Sequence, residues 1–177
     1  MSQRRQWLEH ALEALGPGEA DRVRAFRLLM VQGTRLRTLF DRELAPSGIT
    51  SQQGAMLSWI EAQTQAPTLS AVAAGLSMTH QNVKQIAAAL ARKGFLEIVP
   101  DQNDRRARRL LLTEHQRQFW RNRNPDDFAA IQAWFSTWSD REAREFVRLM
   151  LQLGDHLDNV AGLPEPPGSS TIRRKTT

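Results

Sequence analysis

The sequence predicts a mainly α-helical fold with one small β-hairpin, and three observations support this prediction. Apolar residues recur at three- and four-residue steps along most of the 177 residues, as on the buried side of amphipathic helices. Residues 95–112 differ, because two short apolar runs flank a charged turn, which is typical of a hairpin. Cysteine is absent, so disulfides and thiolate metal sites do not contribute to the fold.

Two helices are predicted before residue 50. The first spans residues 5–15, and a Gly-Pro-Gly sequence at 16–18 ends it. The second spans residues 19–44, where apolar side chains recur at helical spacing, and a Pro-Ser-Gly sequence at 46–48 ends it. Residues 1–18 are therefore predicted to form an N-terminal helix and linker.

Three shorter helices follow. Thr50 and Gln53 have the spacing of a capping box, which predicts a helix start. Residues 68–76 place four apolar side chains on one helical face. After a brief turn, Thr79 can cap a helix that runs to Lys93, with Gly94 in the position after its end.

The hairpin consists of residues 95–99 and 108–112, and a helix is predicted to start at Thr113. The sequence Asn-Pro-Asp-Asp at 124–127 resembles a second helix start, so a break or bend is expected there. Ser139 and Glu142 form a capping box before the last helix. Residues 163–177 are rich in Pro, Ser and Thr and are predicted to be a disordered tail.

The positive charge of the chain is concentrated in one stretch. The net charge is +5, and residues 84–109 contain seven basic against three acidic side chains, which gives +4 of that total. A compact basic segment suggests a polyanionic partner. A solvated charged face is the alternative reading of any one of these residues alone.

Two short helices joined by a tight turn and followed by a hairpin make a winged helix-turn-helix, here residues 50–113. The second helix of the pair would enter the DNA major groove with the face opposite its apolar side. The amides of Gln81 and Gln85 suit base edges, and Lys84 and Arg92 suit phosphates. An ordinary amphipathic surface helix is the alternative.

The hairpin tip would be the second DNA contact. An arginine on a protruding turn can enter a narrow minor groove, where negative potential is concentrated. The aspartates of the tip are expected to hold the turn and to aim the arginines by ion pairing. Asp-Arg pairs on surface turns are often inconsequential, which is the alternative.

The run GFLEIVPDQNDRRARRLLLTE at 94–114 resembles the wing signature of the MarR (multiple antibiotic resistance regulator) family. Upstream, ITSQQGAML and LSAVAAGLSMTHQNVKQIAAAL resemble its second to fourth helices, so the likeness covers about residues 20–160. It implies that Arg106 enters the minor groove, that Asp104 and Arg105 shape the tip, and that residues 79–85 face the major groove. Ser77 stands where the family commonly has a turn glycine. The DNA-binding residues predicted in total are Thr79, His80, Gln81, Asn82, Lys84, Gln85, Arg92, Asp104, Arg105, Arg106 and Arg108.

A homodimer is predicted from the flanking helices. Residues 19–45 and 114–162 carry wider apolar stripes than one packed side requires, and two recognition helices are needed to span a palindrome. With residues 50–113 they would form a MarR-like domain over 19–162. A self-contained core is the alternative use of the apolar surface.

The functional prediction is a sequence-specific transcriptional regulator, a homodimeric repressor that binds a palindromic operator in double-stranded DNA. The resemblance also implies release by a small aromatic or anionic effector, whose pocket residues the sequence does not identify. The alternative function is a winged-helix protein-interaction module that does not bind DNA.

Enzymatic activity is not expected. The chain has no Gly-rich phosphate loop, nucleophile elbow or HExxH motif. Its four histidines are scattered without ligand spacing, so no metal or other cofactor is predicted. Neither a signal peptide nor a membrane-spanning stretch is recognisable, and a cytoplasmic location is expected.

Overall fold

The computed structural model describes residues 3–102, 104 and 106–161, with residues 3–5 and 161 described through the backbone alone. Arg105 and the tail predicted to be disordered, residues 163–177, lie outside the described residues. The chain divides into two compact units between Ser51 and Gln52. None of the described helices is long and apolar enough to cross a membrane.

The first unit begins with helix α1 (Gln3–Glu9) and the long helix α2 (Pro17–Leu44). Helix α1 is shorter than the predicted 5–15, because Ala11 adopts a φ of 61°, a left-handed conformation that a helix does not continue through. The Gly-Pro-Gly sequence does not end α1 but starts α2. Pro17 occupies the first helical position, and the Glu19 carboxylate accepts the Gly16 N–H at 3.1 Å.

Two arginines of α2 hold α1. One guanidinium nitrogen of Arg27 donates to the carbonyls of Trp7, Leu8 and His10 at 3.2, 2.8 and 2.9 Å, which satisfies carbonyls at the end of α1. Arg24 pairs with Glu9 at 2.6 Å, and its hydrogen bond lowers the pKa of the Glu9 carboxyl. A helix of seven residues is too short to be stable alone, so α1 depends on these contacts.

Helix α2 ends as predicted. A single 3₁₀ turn (Ala45–Ser47) follows it, and Gly48 takes a φ of 68°, which glycine adopts at little cost. The next helix, α3 (Ser51–Glu61), starts one residue after Thr50.

The second unit contains helices α4 (Leu69–Gly75) and α5 (His80–Arg92) and strands β1 (Leu96–Pro100) and β2 (Arg108–Leu112). The strands pair antiparallel, with Leu96 opposite Leu112 and Pro100 opposite Arg108. The segment before α4 joins the other edge of β2, where the Leu110 N–H donates to the Pro67 carbonyl at 3.0 Å. The core of this unit consists of Met56, Leu57, Ile60, Leu69, Val72, Val83, Ile86, Ala87, Leu90, Phe95, Leu96, Leu110 and Trp120.

Helix α6 (Glu114–Trp134) corrects one prediction. The expected break at residues 124–127 is absent, and the helix continues through Pro125. Proline removes one backbone donor from the helix. The residues on either side of it, Arg123 and Asp127, form an ion pair at 3.0 Å one turn apart, which spans the proline.

Helix α7 (Asp140–Ala161) begins with the predicted capping box. The Ser139 N–H donates to the Glu142 carboxylate at 2.8 Å, and the Ser139 hydroxyl accepts the Glu142 N–H at 3.3 Å. None of the side chains of residues 140–160 is buried. Large apolar side chains are among the exposed ones, including Val147, Leu149, Leu151, Leu157 and Val160.

Candidate nucleic-acid interface

Helices α4 and α5 form the predicted helix-turn-helix, and each has a threonine cap. The Thr68 hydroxyl accepts the Ala71 N–H at 3.1 Å, and the Thr79 hydroxyl accepts the Asn82 N–H at 3.2 Å. Between the helices Ser77 takes a φ of 50°. This is the left-handed conformation that glycine favours, and a residue with a side chain there costs roughly 1–2 kcal/mol. The turn therefore has the backbone geometry of a glycine turn although serine occupies it.

Helix α5 is divided into a buried and an exposed face as predicted. Val83, Ala87 and Leu90 have no exposed surface, and Ile86 is 8% exposed. Asn82 is half-buried at the flank. The exposed residues are Thr79, His80, Gln81, Lys84, Gln85 and Arg92. An exposed helix face with amides at its centre and cations beside them can present hydrogen-bond donors and acceptors to base edges and positive charge to phosphates.

The wing is joined to α5 with almost no linker. Gly94 ends the helix with a φ of 76°, and the Phe95 N–H donates to the Leu90 carbonyl at 3.0 Å. The Thr113 hydroxyl, at the far end of the hairpin, donates to the Gly94 carbonyl at 2.7 Å. Both ends of the wing are therefore fastened to the end of α5.

The aspartates of the wing tip hold the turn, as expected. Asp101 is 6% exposed, and its carboxylate accepts the Asp104 N–H at 2.8 Å. The Asp104 carboxylate accepts the Arg106 N–H at 2.9 Å. Both bonds go to backbone donors, so they fix the course of the chain at the tip.

For Arg106, the ion pairing at the tip differs from the prediction. Asp101 pairs with Arg109, a strand residue. The Arg106 side chain is exposed, and within the part of the chain that the structure describes its guanidinium has no partner. The Asp101 carboxylate pairs with Arg109 because the two residues lie next to each other at the base of the tip. The Arg106 side chain is left exposed to solvent.

The described structure brings the predicted residues together in two groups. Thr79 caps α5, which contains His80, Gln81, Asn82, Lys84, Gln85 and Arg92. Asp104, Arg106 and Arg108 lie at the wing tip or on β2. Arg105 is outside the described residues. The residues predicted from the sequence do not include Arg109, or Lys93, whose ammonium donates to the Gln53 side chain at 2.9 Å.

The described residues contain no group of three histidine or acidic side chains that could hold a metal ion. An open groove of about 570 Å³ lies beside the base of the wing. Its lining includes Trp59, Gln63, Thr68 and Arg109.

Comparison with known proteins shows where this chain has relatives. Residues 47–107 match the model of the MarR family. The transcriptional activatory protein BadR of Rhodopseudomonas palustris is 32% identical over 81 residues, which are 45% of this chain and 46% of that protein. The chain thus spans about half the length of the curated relative that it matches.

Solved structures resemble a larger part of the chain. A MarR protein from Peptoclostridium difficile matches with a TM-score of 0.70 at 14% identity, over 83% of this chain and 92% of that one. AbsC from Streptomyces coelicolor, described as a MarR family transcriptional regulator, matches with a TM-score of 0.70 at 17% identity, over 82% of this chain and 97% of that one. MepR of S. aureus, in a complex with DNA, matches with a TM-score of 0.66 at 21% identity, over 74% of this chain and 96% of that one. At these identities the likeness establishes a shared fold.

Proposed function

We propose that this protein, whose residues 47–107 match the model of the MarR family, is a regulator of that family that controls transcription by binding double-stranded DNA as a homodimer. The observation that carries the proposal is the exposed face of α5, where amides and cations stand together over a buried apolar face. The fold shared with MepR, solved with DNA, supports it.

Residues of α5 divide between reading bases and holding the backbone. Gln81 and Gln85 lie one turn apart at the centre of the exposed face, and each amide can pair with the donor and acceptor of adenine. Lys84 and Arg92 lie where a long cation reaches phosphate oxygens. Thr79, His80 and Asn82 at the start of the helix complete the major-groove contacts.

The wing supplies the minor-groove contact. The Arg106 guanidinium is exposed and has no partner within the described residues, so it is available for DNA. A guanidinium displaces condensed counterions and gains from the negative potential of a narrow groove. Arg105 and Arg108 add positive charge beside it, and Asp104 shapes the turn.

The homodimer accounts for the apolar surface of the outer helices. Helix α7 has 22 residues and leaves Leu149, Leu151 and Leu157 between 49% and 65% exposed. In the first unit, Phe26 and Met30 of α2 are 63% and 60% exposed. Exposed apolar surface of this extent marks an interface. A second copy of the chain is the occupant we propose, because two copies of α5 are needed to read the two halves of a palindrome.

The direction of regulation is a separate part of the proposal. We infer repression, in which a bound dimer blocks access to a promoter. BadR carries the name of an activatory protein, so activation is the competing outcome. Deletion of the gene should raise transcription of its targets under repression and lower it under activation. Release by a small aromatic or anionic effector completes the proposal.

DNA binding is tested by selecting duplexes from a random library with the wild-type protein. We expect a palindromic sequence to be enriched. Gln81→Ala and Gln85→Ala should then relax the preference at particular base pairs, and each should cost roughly 1–3 kcal/mol of binding free energy at the selected site. Lys84→Ala should weaken binding to all sequences alike. It should also lower, by about one, the slope of the logarithm of the binding constant against the logarithm of the salt concentration. A wild-type protein that enriches no sequence would favour a protein-interaction module instead.

Arg106→Ala provides the sharpest test of the wing. It should reduce the free energy of DNA binding by about 2 kcal/mol for each wing, which lowers the affinity of the dimer about a thousandfold, and leave the Tm almost unchanged. Arg106→Lys should restore only part, because lysine keeps the charge and loses the planar fork. Arg117→Gln, in an exposed ion pair of α6, is the matched control and should leave the affinity unchanged. A lowered Tm with near-normal affinity would show that Arg106 stabilises the hairpin instead.

A further inference from the structure

We infer that Asp101 and Arg109 are positioning residues for DNA recognition, which orient the wing so that Arg106 meets the minor groove. The inference rests on the proposed function and assigns a role to two residues that make no DNA contact in it. It follows from a continuous series of bonds between the wing tip and the helix-turn-helix.

The series begins at the tip. The Arg106 N–H is held by the Asp104 carboxylate at 2.9 Å, and the Asp104 N–H is held by one oxygen of Asp101 at 2.8 Å. The other oxygen of Asp101 accepts from the Nε of Arg109. One carboxylate therefore connects the turn that presents Arg106 to a residue of strand β2.

The series continues into the helix-turn-helix. The Nη1 of Arg109 donates to the Ala66 carbonyl at 2.6 Å, 43 residues away in the sequence. Two residues later, Thr68 forms a bridge with the backbone of Arg109 and caps α4. Arg109 thus fastens both the tip and the start of α4, and it sets the angle of the wing relative to the helices that meet the major groove.

The surroundings of the pair favour a positioning role. The Asp101 side chain is 5% exposed and that of Arg109 is 33% exposed, so the carboxylate is shielded from solvent and the geometry of the ion pair is restrained. A hairpin of two five-residue strands is marginally stable in isolation, so its orientation depends on the contacts at its base. A displacement of the wing by 1 Å or more would take the Arg106 guanidinium out of hydrogen-bonding range of its groove.

The test is a double-mutant cycle on the duplex selected by the wild-type protein, measured at low salt. Asp101→Asn keeps an oxygen for the Asp104 N–H but turns an amide toward the donors of Arg109, so it breaks the link to the strand. We expect Asp101→Asn to weaken binding about tenfold when Arg106 is present and less than twofold in the Arg106→Ala background. Arg109→Gln is the second variant and should behave alike. Arg117→Gln, which removes an exposed guanidinium, should leave the DNA affinity unchanged in both backgrounds.

The outcomes separate the inference from the proposed function. Equal losses in the two backgrounds, or no loss in either, would overturn the inference, because Asp101 and Arg109 would then act through general stability or not at all. The Tm of each variant, measured alongside, shows the size of that stability effect. A wild-type protein that binds no duplex would overturn the proposed function, and the inference with it.

Discussion

At the scale of single residues, Gly75 shows how closely the helix-turn-helix is packed. It is the last residue of α4, and a Cβ built on it would lie 2.2 Å from a ring carbon of Trp59 and 2.8 Å from its indole nitrogen. Contacts this short are not tolerated, and the large indole cannot yield as the end of a flexible chain would. The glycine is therefore required by the close approach of α3 to α4.

Gly75→Ala should destabilise the protein. The gain in helix propensity, about 1 kcal/mol, is smaller than the cost of displacing Trp59. We expect a net loss of about 2 kcal/mol, which lowers the Tm by roughly 4–8 °C in a protein of this size. Thermal unfolding followed by circular dichroism measures this. Ser70→Ala, on the exposed side of the same helix, is the control and should change the Tm little. An unchanged Tm for Gly75→Ala would show that Trp59 has another position available.

Residue contacts were predictable from the sequence when they were short in range. The caps at Thr79 and Ser139 join residues three apart, so the spacing of residue types already contains them. The bond from Arg109 to the Ala66 carbonyl was not predictable, because it depends on which segment lies beside β2. The ion pair between Asp101 and Arg109 was not predictable for the same reason. The pairing of the two strands, and not the order of the tip residues, brings Arg109 beside the carboxylate.

At the scale of helices and strands, α5 and the hairpin were predicted within one residue at each end, since threonine caps and a terminal glycine mark them. Two helices were mispredicted. Helix α1 ends at Glu9, and the positive φ of Ala11 just after it could not be predicted, because alanine is a strong helix former. Pro125 does not break α6, because the loss of one hydrogen bond is tolerated where neighbouring contacts hold the helix.

The capping box of α7 should make this helix sensitive to acid. The Ser139 hydroxyl and N–H donate to the Glu142 carboxylate at 2.6 and 2.8 Å, and they hold the pKa of Glu142 below its usual 4.5. A lowered pKa in the folded state stabilises the protein above pH 4.5, and this stabilisation is lost as the pH falls through the folded-state value.

We therefore expect Glu142→Gln to lower the Tm at neutral pH, and the difference from the wild type to shrink as the pH falls below 4.5. Thermal unfolding across this pH range measures the difference. In a Ser139→Ala background, which lacks the hydroxyl, the substitution should have a smaller effect at every pH. A difference that stayed constant down to pH 3 would show that the carboxylate charge does not contribute.

At the scale of the whole molecule, the dimer is the part of the proposal with the most direct physical test. A single chain has a mass of 20.1 kDa, so light scattering at micromolar concentration should give about twice that value. Met150→Lys with Leu157→Lys places two charges on the apolar face of α7 and should give the mass of one chain. Asp155→Lys places a lysine on the opposite face and should leave the dimer intact. A mass near 20.1 kDa for the wild-type protein would contradict the homodimer.

The uncovered apolar face of α7 has a consequence for how DNA binding depends on the number of chains in the cell. If two chains must meet before an operator is read, then occupancy at low abundance rises with the square of the number of chains in the cell. Halving synthesis would reduce the dimer about fourfold, so target genes would respond more steeply than they would to a monomer. The stability of the folded chain would also rise with its concentration, since association favours the folded form by mass action. A population of cells would then switch its target genes over a narrow range of regulator copy number.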